Sequence, residues 1–242
     1  MKLLSLIKYL YPFTEKKYIL PSYISPHIND FENTESRQLL LTACKSIESV
    51  KEYFDYIEDY TSKGSDTVYL KRYIGEHYPL IYSLIRHLNI ENVVEIGTFN
   101  GMASRIILDS RKDINLTTFD LIPWDKFQTH LSHDDFQSGK FTQVLANLEI
   151  SEEFNTHLKT LTSAELIFLD GPKNISFEDN FLTLMSKSYF PEKTRYLLMD
   201  DIRFAKMHKV WCKIKSPKCD LTSLGHWSGT GLVDISKGLI FE

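Results

Sequence analysis

The stretch VVEIGTFNG, residues 93–101, constrains the fold of this chain more than any other part of the sequence. An apolar strand pattern, interrupted by Glu95, runs directly into a turn that contains Gly97 and Gly101. Glycine adopts backbone conformations with positive φ and lets other groups approach its backbone closely. The stretch therefore predicts a buried β-strand, a tight turn and the start of a helix, an arrangement that places a loop at the end of a sheet strand.

The same alternation of strand and helix continues to the end of the chain. The predicted strands are residues 92–96, 116–121, 142–146, 165–170 and 195–200, and the predicted helices are residues 102–111, 151–161 and 176–189. The strands are almost continuously apolar, which is typical of parallel strands covered on both faces. Residues 220–236 predict two further strands joined by a turn at Ser228 and Gly229, an antiparallel hairpin that closes the sheet. The pattern predicts an α/β, doubly wound, mostly parallel sheet.

Residues 1–70 differ in composition from the rest of the chain and are rich in Tyr, Lys, Glu and Ser. Between positions 35 and 60 the apolar residues recur in steps of three and four, at positions 40, 43, 47, 50, 54 and 57. This spacing predicts helices. We therefore expect an N-terminal helical extension over residues 1–70, followed by the main domain over residues 71–242. The extension covers the mouth of a site or forms a homodimer interface; the sequence leaves both open.

The opening residues 1–13, MKLLSLIKYLYPF, predict a short amphipathic helix docked on its own domain or on a partner subunit. Their apolar run is broken by Lys8 and no small-residue cleavage site follows, which argues against a secretory signal. The sequence has no apolar run of the roughly 20 residues that a transmembrane helix needs. We expect a cytoplasmic protein without a transmembrane segment.

Composition narrows the classes of partner. The formal net charge is -4 and no long basic block occurs, which disfavours nucleic acid as a partner. The three cysteines, Cys44, Cys212 and Cys219, are widely spaced and form no C-x-x-C pair. This usage indicates a reducing compartment and argues against a zinc site built from cysteines.

The turn after the first strand and the acid after the second indicate a nucleoside ligand. In a doubly wound sheet, ligands bind at the carboxyl ends of the strands, and an acid at the end of the second strand can accept the hydroxyls of a ribose. Asp120 holds that position. A dinucleotide site needs G-x-G-x-x-G to bind a pyrophosphate, whereas this turn reads E-x-G-x-x-x-G. A ligand without phosphates fits better, and S-adenosyl-L-methionine is such a ligand.

These residues also resemble a known family. VVEIGTFNGMAS is similar to the first motif of class I S-adenosylmethionine-dependent methyltransferases, and EIGT-x-x-G-x-x-S resembles the small cation-dependent O-methyltransferases of the catechol and caffeoyl-CoA type. The resemblance extends over roughly residues 70–242 and implies a seven-stranded, Rossmann-like sheet. The predicted cofactor-binding residues are Glu95, Gly97, Thr98, Gly101, Ser104, Asp120 and Asn147.

Two later motifs support the narrower family. FLDGPKN resembles its D-x-x-K, in which the acid binds a divalent cation and the lysine is the general base; here these are Asp170 and Lys173. LLMDDI places Asp200 and Asp201 where the family has two metal ligands. Carboxylates gathered at neighbouring strand ends repel each other unless a cation joins them, and Mg²⁺ prefers oxygen ligands. The resemblance implies Asp170, Asp200 and Asp201 as metal ligands and Lys173 and Asp170 as catalytic residues.

The sequence departs from the family in three places. Asp201 stands where the family usually has Asn, D-G-P-K also resembles the D-G-x-H of sugar and macrolide-sugar methyltransferases, and the insertion 121–139 is unlike the catechol enzymes. Asp170 and Asp201 also suit helix caps and turns, so the sequence favours metal binding and a structural role equally. His130 and His133 fit a solvated face, and His226 and Trp227 favour a structural role over a substrate contact.

The function predicted from the sequence is an S-adenosylmethionine-dependent O-methyltransferase that acts on a hydroxyl of a small molecule or saccharide. Mg²⁺ assistance is left open. The alternatives are a metal-independent sugar methyltransferase, with Asp170 or a histidine as the base, and a non-catalytic binding or scaffold protein on the same fold. A nicotinamide enzyme is the weakest candidate, because the turn lacks closely spaced glycines.

Overall fold

The computed structural model describes residues 33–62, Leu70, residues 76–188 and residues 196–242. Within these residues the strands are β1 (Asn92–Ile96), β2 (Asn115–Asp120), β3 (Phe141–Leu145), β4 (Leu166–Leu169), β5 (Tyr196–Asp200), β6 (Lys218–Asp220) and β7 (Thr230–Asp234). The α-helices are α1 (Thr34–Ser46), α2 (Val50–Ser62), α3 (Tyr78–His87), α4 (Met102–Ser110), α5 (His133–Gln137), α6 (Ser151–Thr156), α7 (Leu158–Ser163), α8 (Ser176–Ser186) and α9 (Met207–Lys213).

The seven strands form one sheet in the order β3-β2-β1-β4-β5-β7-β6. Strands β1 to β5 pair in parallel, whereas β7 is antiparallel to both β5 and β6. The chain starts at the middle of the sheet, extends to one edge and then returns to build the other half. This arrangement confirms the predicted doubly wound, mostly parallel, seven-stranded sheet, and the five parallel strands lie within a residue of their predicted bounds.

The C-terminal hairpin differs from its prediction. Strand β6 begins at Lys218, and nine residues, 221–229, separate it from β7, so Ser228 and Gly229 do not form a tight hairpin turn. The loop instead pairs with the segment after β5: the Arg203 N–H donates to the Ser228 carbonyl at 2.9 Å and the Ile202 N–H to the Gly229 carbonyl at 3.2 Å. These hydrogen bonds hold the loop against the carboxyl end of β5.

Both faces of the sheet are covered, because successive strand residues point to opposite sides. On one face Val94 and Ile167 pack with Phe154, Phe181 and Trp211 from α6, α8 and α9. The other face packs against α1, α3 and α4; its buried residues include Val93, Leu116, Phe168, Leu39, Leu80 and Ile107. The helices thus cover both faces of the sheet in the described part of the chain, and the strand ends stay accessible to a ligand.

The described part of the N-terminal extension is helical, as predicted between positions 35 and 60. It forms two helices, α1 and α2, joined by a 3-10 turn over Ile47–Ser49. The buried side chains include Leu39, Ala43, Tyr53 and Ile57, and four of the six predicted apolar positions are only partly buried. The predicted helix over residues 1–13 lies outside the described residues.

Two other predicted segments are broken into shorter pieces. The predicted helix over residues 151–161 is divided at His157 into α6 and α7, and the insertion 121–139 contains a 3-10 turn, Trp124–Lys126, and α5. No helix among the described residues is long and apolar enough to cross a membrane.

Gly97, directly after β1, is required by contact with β4. Its φ is +104°, and a Cβ placed there would lie 2.1 Å from the Asp170 carbonyl oxygen. We expect Gly97→Ala to lower the free energy of unfolding by about 3 kcal/mol, from overpacking of about 1–3 kcal/mol together with backbone strain of about 1–2 kcal/mol. Denaturant unfolding followed by circular dichroism measures the change.

Gly238→Ala is the matched control. Gly238 has a φ of +91°, and a Cβ there would meet nothing within 4 Å among the described residues. It isolates the backbone strain, for which we expect a loss of about 1–2 kcal/mol. Equal losses in the two variants would contradict a steric role for the contact between Gly97 and Asp170.

Candidate functional site

A cavity of about 520 Å³ opens at the carboxyl ends of β1, β2 and β4. Its size falls within the range of about 300–1,000 Å³ that is usual for small-molecule sites. Its lining comprises Ile96, Gly97, Phe99, Phe119, Asp120, Leu121, Ile122, Ala146, Asn147, Leu148, Glu149, Asp170, Gly171, Pro172, Asn174 and Phe177. The apolar side chains dominate, and the charged ones are all acidic.

Asp120 lies at the rim of this cavity, where the sequence predicted it. Its Oδ2 accepts the Phe99 N–H at 2.9 Å, and its Oδ1 accepts the N–H groups of Leu121 and Ile122 at 2.7 and 3.0 Å. These three hydrogen bonds fix the carboxylate. A carboxylate has about four lone-pair sites, so roughly one remains for a ligand before a backbone donor must be displaced.

Asn147 also lines the cavity, but its side chain is engaged in its own turn. Its Nδ2 donates to Glu149 Oε1 at 3.1 Å, while its Oδ1 accepts the Glu149 N–H at 3.2 Å. The Asn147 backbone N–H donates to Glu153 Oε2 at 2.6 Å. Asn147 thereby forms part of the cavity wall.

The other four predicted cofactor residues are not among the described residues that line the cavity. Thr98 Oγ1 shares a hydrogen bond with Thr118 Oγ1 at 2.8 Å, and Ser104 donates to the Glu95 carboxylate. At Gly101, whose φ is +74°, a Cβ would lie 2.4 Å from the Leu131 side chain. These four residues stabilise the turn through contacts within the protein. Their role in binding a cofactor stays a prediction.

Glu95 is fully buried beneath that turn. Its Oε2 accepts from Ser104, whereas its Oε1 has no hydrogen-bond partner within the described part of the chain. Burial raises the pKa of Glu95 to about 8, although the hydrogen bond from Ser104 opposes the shift. The carboxyl group is therefore largely protonated at neutral pH, so it braces the turn as a neutral acid.

A cluster of carboxylates adjoins the cavity at the ends of β4 and β5. Oxygens of Asp170, Asp200 and Asp201 all lie within 4.8 Å of one another. Lys173 Nζ lies 2.5 Å from Asp170 Oδ1 and 3.6 Å from Asp201 Oδ2. The structure thus brings together the four residues that the sequence placed in the metal site and in catalysis.

The ionisation of Lys173 differs from what a lysine base requires. Burial alone would lower its pKa, but Asp170, Asp200 and Asp201 outweigh burial and raise the pKa above its usual value. Lys173 is therefore an ammonium ion that donates to Asp170. The role of Lys173 as a general base stays a prediction, since it requires a lower pKa than these carboxylates produce without a cation.

Asp170 and Asp200 are held in opposite states. Burial, together with the nearby charge of Asp200, raises the pKa of Asp170 in spite of Lys173. Burial would also raise the pKa of Asp200, but His77, His226 and Lys173 hold it well below its usual range. Asp200 is thus a firmly ionised anchor, while Asp170, whose side chain is 31% exposed, is the more basic carboxylate and faces the cavity.

The sequence did not identify the histidines that complete this cluster. His77 Nδ1 and His226 Nδ1 lie 3.2 and 3.1 Å from Asp200 Oδ1. Burial alone would lower the pKa of His226, but its hydrogen bonds with Asp200 and Asp201 raise it to about 10. The role of His226 therefore extends beyond filling the hairpin. His77 directly precedes α3 and follows no motif, so no local signal pointed to it.

Backbone strain is concentrated at the same place. Phe99, Lys173 and Asp201 adopt positive φ angles of 45°, 57° and 60°. Such conformations cost about 1–3 kcal/mol each and persist where the surrounding structure holds them. The three residues follow β1, β4 and β5 respectively. Strain at all three strand ends marks this edge of the sheet as a candidate site independently of its charges.

The raised pKa of Glu95 predicts a pH dependence of stability. Between the unfolded value near 4.5 and the folded value of about 8, the folded chain binds the proton that the unfolded chain has lost. Stability from this group is complete below pH 4.5 and declines as the pH rises to 8, by at most about 1.4 kcal/mol per pH unit. Denaturant unfolding at several pH values should show that Glu95→Gln removes this decline.

Glu152→Gln is the control, because Glu152 is exposed on α6. This variant should keep the same pH dependence as the unmodified protein. If Glu95→Gln also kept it, the buried carboxyl group would not be protonated in the folded state.

Several solved structures of methyltransferases align with this chain. A candidate caffeoyl-CoA O-methyltransferase from Staphylococcus aureus aligns with 74% of this chain and 97% of its own, at 16% identity and a TM-score of 0.47. The SAH-bound Podospora anserina methyltransferase PaMTH1 aligns over 83% and 88% of the two chains, at 12% identity and a TM-score of 0.46. A Geobacter sulfurreducens methyltransferase aligns over 68% and 78%, at 16% identity and a TM-score of 0.45.

No family model and no curated protein matches the sequence. The structural likenesses are too distant to carry a function, so the fold is assigned from the sheet itself. The sheet has five parallel strands and an antiparallel β7 inserted between β5 and β6; the sequence predicted a mostly parallel, seven-stranded sheet but not this strand order. The chain therefore has the doubly wound, Rossmann-like fold that the resemblance to class I S-adenosylmethionine-dependent methyltransferases implied.

Proposed function

We propose that this protein is an S-adenosylmethionine-dependent O-methyltransferase that acts on a hydroxyl of a small molecule or saccharide with the assistance of a divalent cation. The observation that carries the proposal is the position of Asp170. Its side chain lines the cavity that suits a cofactor and also belongs to the carboxylate cluster. One residue therefore joins a cofactor site to a site for activating a hydroxyl.

The charge of the cavity supports this cofactor. Asp120, Glu149 and Asp170 line it, and no Lys, Arg or His is among its described lining residues. A pyrophosphate would be repelled by such a wall, which argues against a nicotinamide dinucleotide. S-adenosylmethionine has no phosphate and carries a sulfonium cation, which the acidic wall attracts.

The apolar part of the lining suits an adenine ring. Phe99, Leu121 and Ile122 follow β1 and β2, and Leu148 and Phe177 face them from the other elements. Flat aromatic rings pack well between such side chains. Phe99 is 61% exposed, with its ring 4.9 Å from that of Phe127, so it forms an open edge that a ligand can cover.

The carboxylate cluster fits a divalent cation. Asp170, Asp200 and Asp201 offer hard oxygen donors within 4.8 Å of one another, which is the ligand type that Mg²⁺ prefers. The pKa of Asp170 is raised first by burial and then by the charge of Asp200, although Lys173 and His77 oppose the shift. A bound cation would supply positive charge that lowers the pKa of an acceptor hydroxyl.

In this proposal Asp200 and Asp201 would hold the cation, and Asp170, left free of it, would accept the proton of the acceptor hydroxyl, because a carboxylate that binds a cation is a weaker base. Asp170 faces the cavity and has a pKa raised by burial, whereas Lys173 is already protonated. The Lys173 ammonium donates to Asp170 Oδ1 at 2.5 Å and fixes its orientation. Lys173 is thus a positioning residue, which changes the role that the resemblance implied for it.

The ring of Trp227 suits an acceptor with a flat face. Trp227 is 62% exposed and lies next to His226, with the two ring centroids 5.5 Å apart. An exposed tryptophan at the rim of a polar cluster offers a stacking surface to an aromatic ring or to the apolar face of a sugar. Either acceptor would bring a hydroxyl towards the cluster.

One observation favours a metal-independent enzyme as the second candidate. Lys173 already bridges Asp170 and Asp201, and His77 and His226 contact Asp200. These cations offset part of the charge that a metal would neutralise. In that case Asp170 would act as the base without a cation, and EDTA would leave methyl transfer unchanged.

Calorimetric titration with S-adenosylmethionine and with its demethylated product tests the cofactor. We expect micromolar binding that Asp120→Asn weakens by about 10–100-fold, since hydrogen bonds to charged groups contribute about 1.5–3 kcal/mol. Asp125→Asn, in the exposed 3-10 turn nearby, should bind as the unmodified protein does. Absence of binding to the unmodified protein would rule out the methyltransferase proposal.

Release of demethylated cofactor, measured with a panel of catechols and sugars, tests the catalytic roles. We expect Asp170→Asn to lower the rate by about 10²–10⁴-fold, the usual contribution of a general base, with cofactor binding retained. Asp201→Asn should be tolerated, because Asn keeps an oxygen donor at that position. A rate that survives Asp170→Asn would exclude Asp170 as the proton acceptor.

A further inference from the structure

Asp200 has a second set of neighbours besides the carboxylates of the acidic cluster. His77, directly before α3, and His226, in the loop before β7, approach Asp200 at the end of β5. One nitrogen of each histidine and one oxygen of Asp200 all lie within 4.8 Å of one another. Three donors from three separate elements therefore converge on one point beneath the acidic cluster.

The distances between these donors match those around a metal ion. Metal–nitrogen and metal–oxygen bonds of about 2.0–2.2 Å place neighbouring ligands about 3.0 Å apart at right angles and about 3.4 Å apart at the tetrahedral angle. The two nitrogen–oxygen distances at Asp200 are 3.2 and 3.1 Å. The three side chains would need little movement to bind one ion.

His77 is the donor with the strongest need of a partner. Its side chain is 5% exposed, and neither ring nitrogen has a hydrogen bond of good geometry among the described residues, although Nδ1 lies near Asp200. Burying an unsatisfied imidazole costs free energy. Its ring centroid lies 5.2 Å from that of Phe168 and 5.5 Å from that of His226, so the ring is packed on both sides.

His226 has a carboxylate near the ring nitrogen that faces away from Asp200, at an ion-pair distance that is too long for a hydrogen bond. Its Nδ1 faces Asp200, and its Nε2 lies 3.7 Å from Glu76 Oε2. A carboxylate on the far nitrogen orients a ligating imidazole and makes it a stronger donor. Glu76 is itself buried beside His77, so one segment supplies both a ligand and this outer carboxylate.

The charge of the region leaves room for a cation. Asp170 and Asp201 pair with the Lys173 ammonium, and Asp200, Asp201 and Glu76 lie 3.1, 3.4 and 3.7 Å from the ring nitrogens of His226. Two protonated imidazoles carry the same charge as one divalent ion, so an ion that displaces the protons of His77 and His226 keeps the charge balance of the cluster. Imidazole ligands favour Zn²⁺, Fe²⁺ and similar ions, whereas Mg²⁺ favours oxygen alone.

We propose that His77, His226 and Asp200 bind a first-row divalent transition metal ion, in a site that shares Asp200 with the carboxylate cluster. The use of this ion in catalysis rests on the proposed function, but its binding does not. The ion would bind Asp200, which also belongs to the carboxylate cluster with Asp170. Asp200 would thus take part in both sites. The enzyme would then select a transition metal over Mg²⁺.

Calorimetric titration of the full-length, metal-free protein with Zn²⁺, Mn²⁺ and Mg²⁺ tests the site. We expect one Zn²⁺ per chain, bound at least about 100-fold more tightly than Mg²⁺. His77→Gln and His226→Gln should each weaken Zn²⁺ by about 100-fold or more while leaving weak Mg²⁺ binding unchanged. His87→Gln, which changes an exposed histidine on α3, should bind Zn²⁺ normally.

X-ray absorption of the Zn²⁺-loaded, unmodified protein gives a second readout that needs no variant. Scattering from two imidazole rings is expected, and thermal unfolding of each variant shows whether it is folded. Equal affinity for Zn²⁺ and Mg²⁺, or a spectrum with oxygen ligands alone, would overturn the site and leave the histidines as cationic partners of Asp200. Titration with S-adenosylmethionine in EDTA reports the cofactor site separately, so failure of one proposal is distinguishable from failure of the other.

Discussion

Mutual repulsion among carboxylates at the carboxyl ends of β4 and β5 is the constraint on which the rest of this site depends. Parallel pairing brings the ends of neighbouring strands to one edge, and Asp170, Asp200 and Asp201 occupy that edge. Removing such charges from water is costly unless cations and hydrogen bonds compensate them. Lys173 and the two histidines provide that compensation, and each comes from a different segment of the chain.

This need explains features that lie outside the parallel sheet. The antiparallel β7 is inserted beside β5, and the loop before it carries His226 and Ser228 to the aspartates. The segment before α3 brings Glu76 and His77 from the other side. The segment before α3 and the loop before β7 therefore complete the site. The central strands supply the carboxylates but few groups that compensate their charge.

The strands and the acids at their ends could be predicted because their signals are local. Apolar runs mark β1 to β5, and an aspartate directly after a run must lie at the sheet edge. Contacts between distant segments have no such signal: His77 and Asp200 are separated by more than one hundred residues. The same limit applies to Glu95 and Gly97, whose positions were predicted, while the contacts of Glu95 with Ser104 and of Gly97 with the Asp170 carbonyl needed the structure.

The proposed reaction also fits the electrostatics of this edge. Transfer of the methyl group converts a sulfonium cation into a neutral thioether, which removes one positive charge from the acidic cavity. Transfer of the acceptor proton to Asp170 removes one negative charge from the wall between cavity and cluster. The first change occurs in the cavity and the second on Asp170 at its wall. The net charge of this region is therefore the same before and after the reaction. A buried carboxylate with a raised pKa, oriented by a lysine that stays protonated, is suited to that exchange.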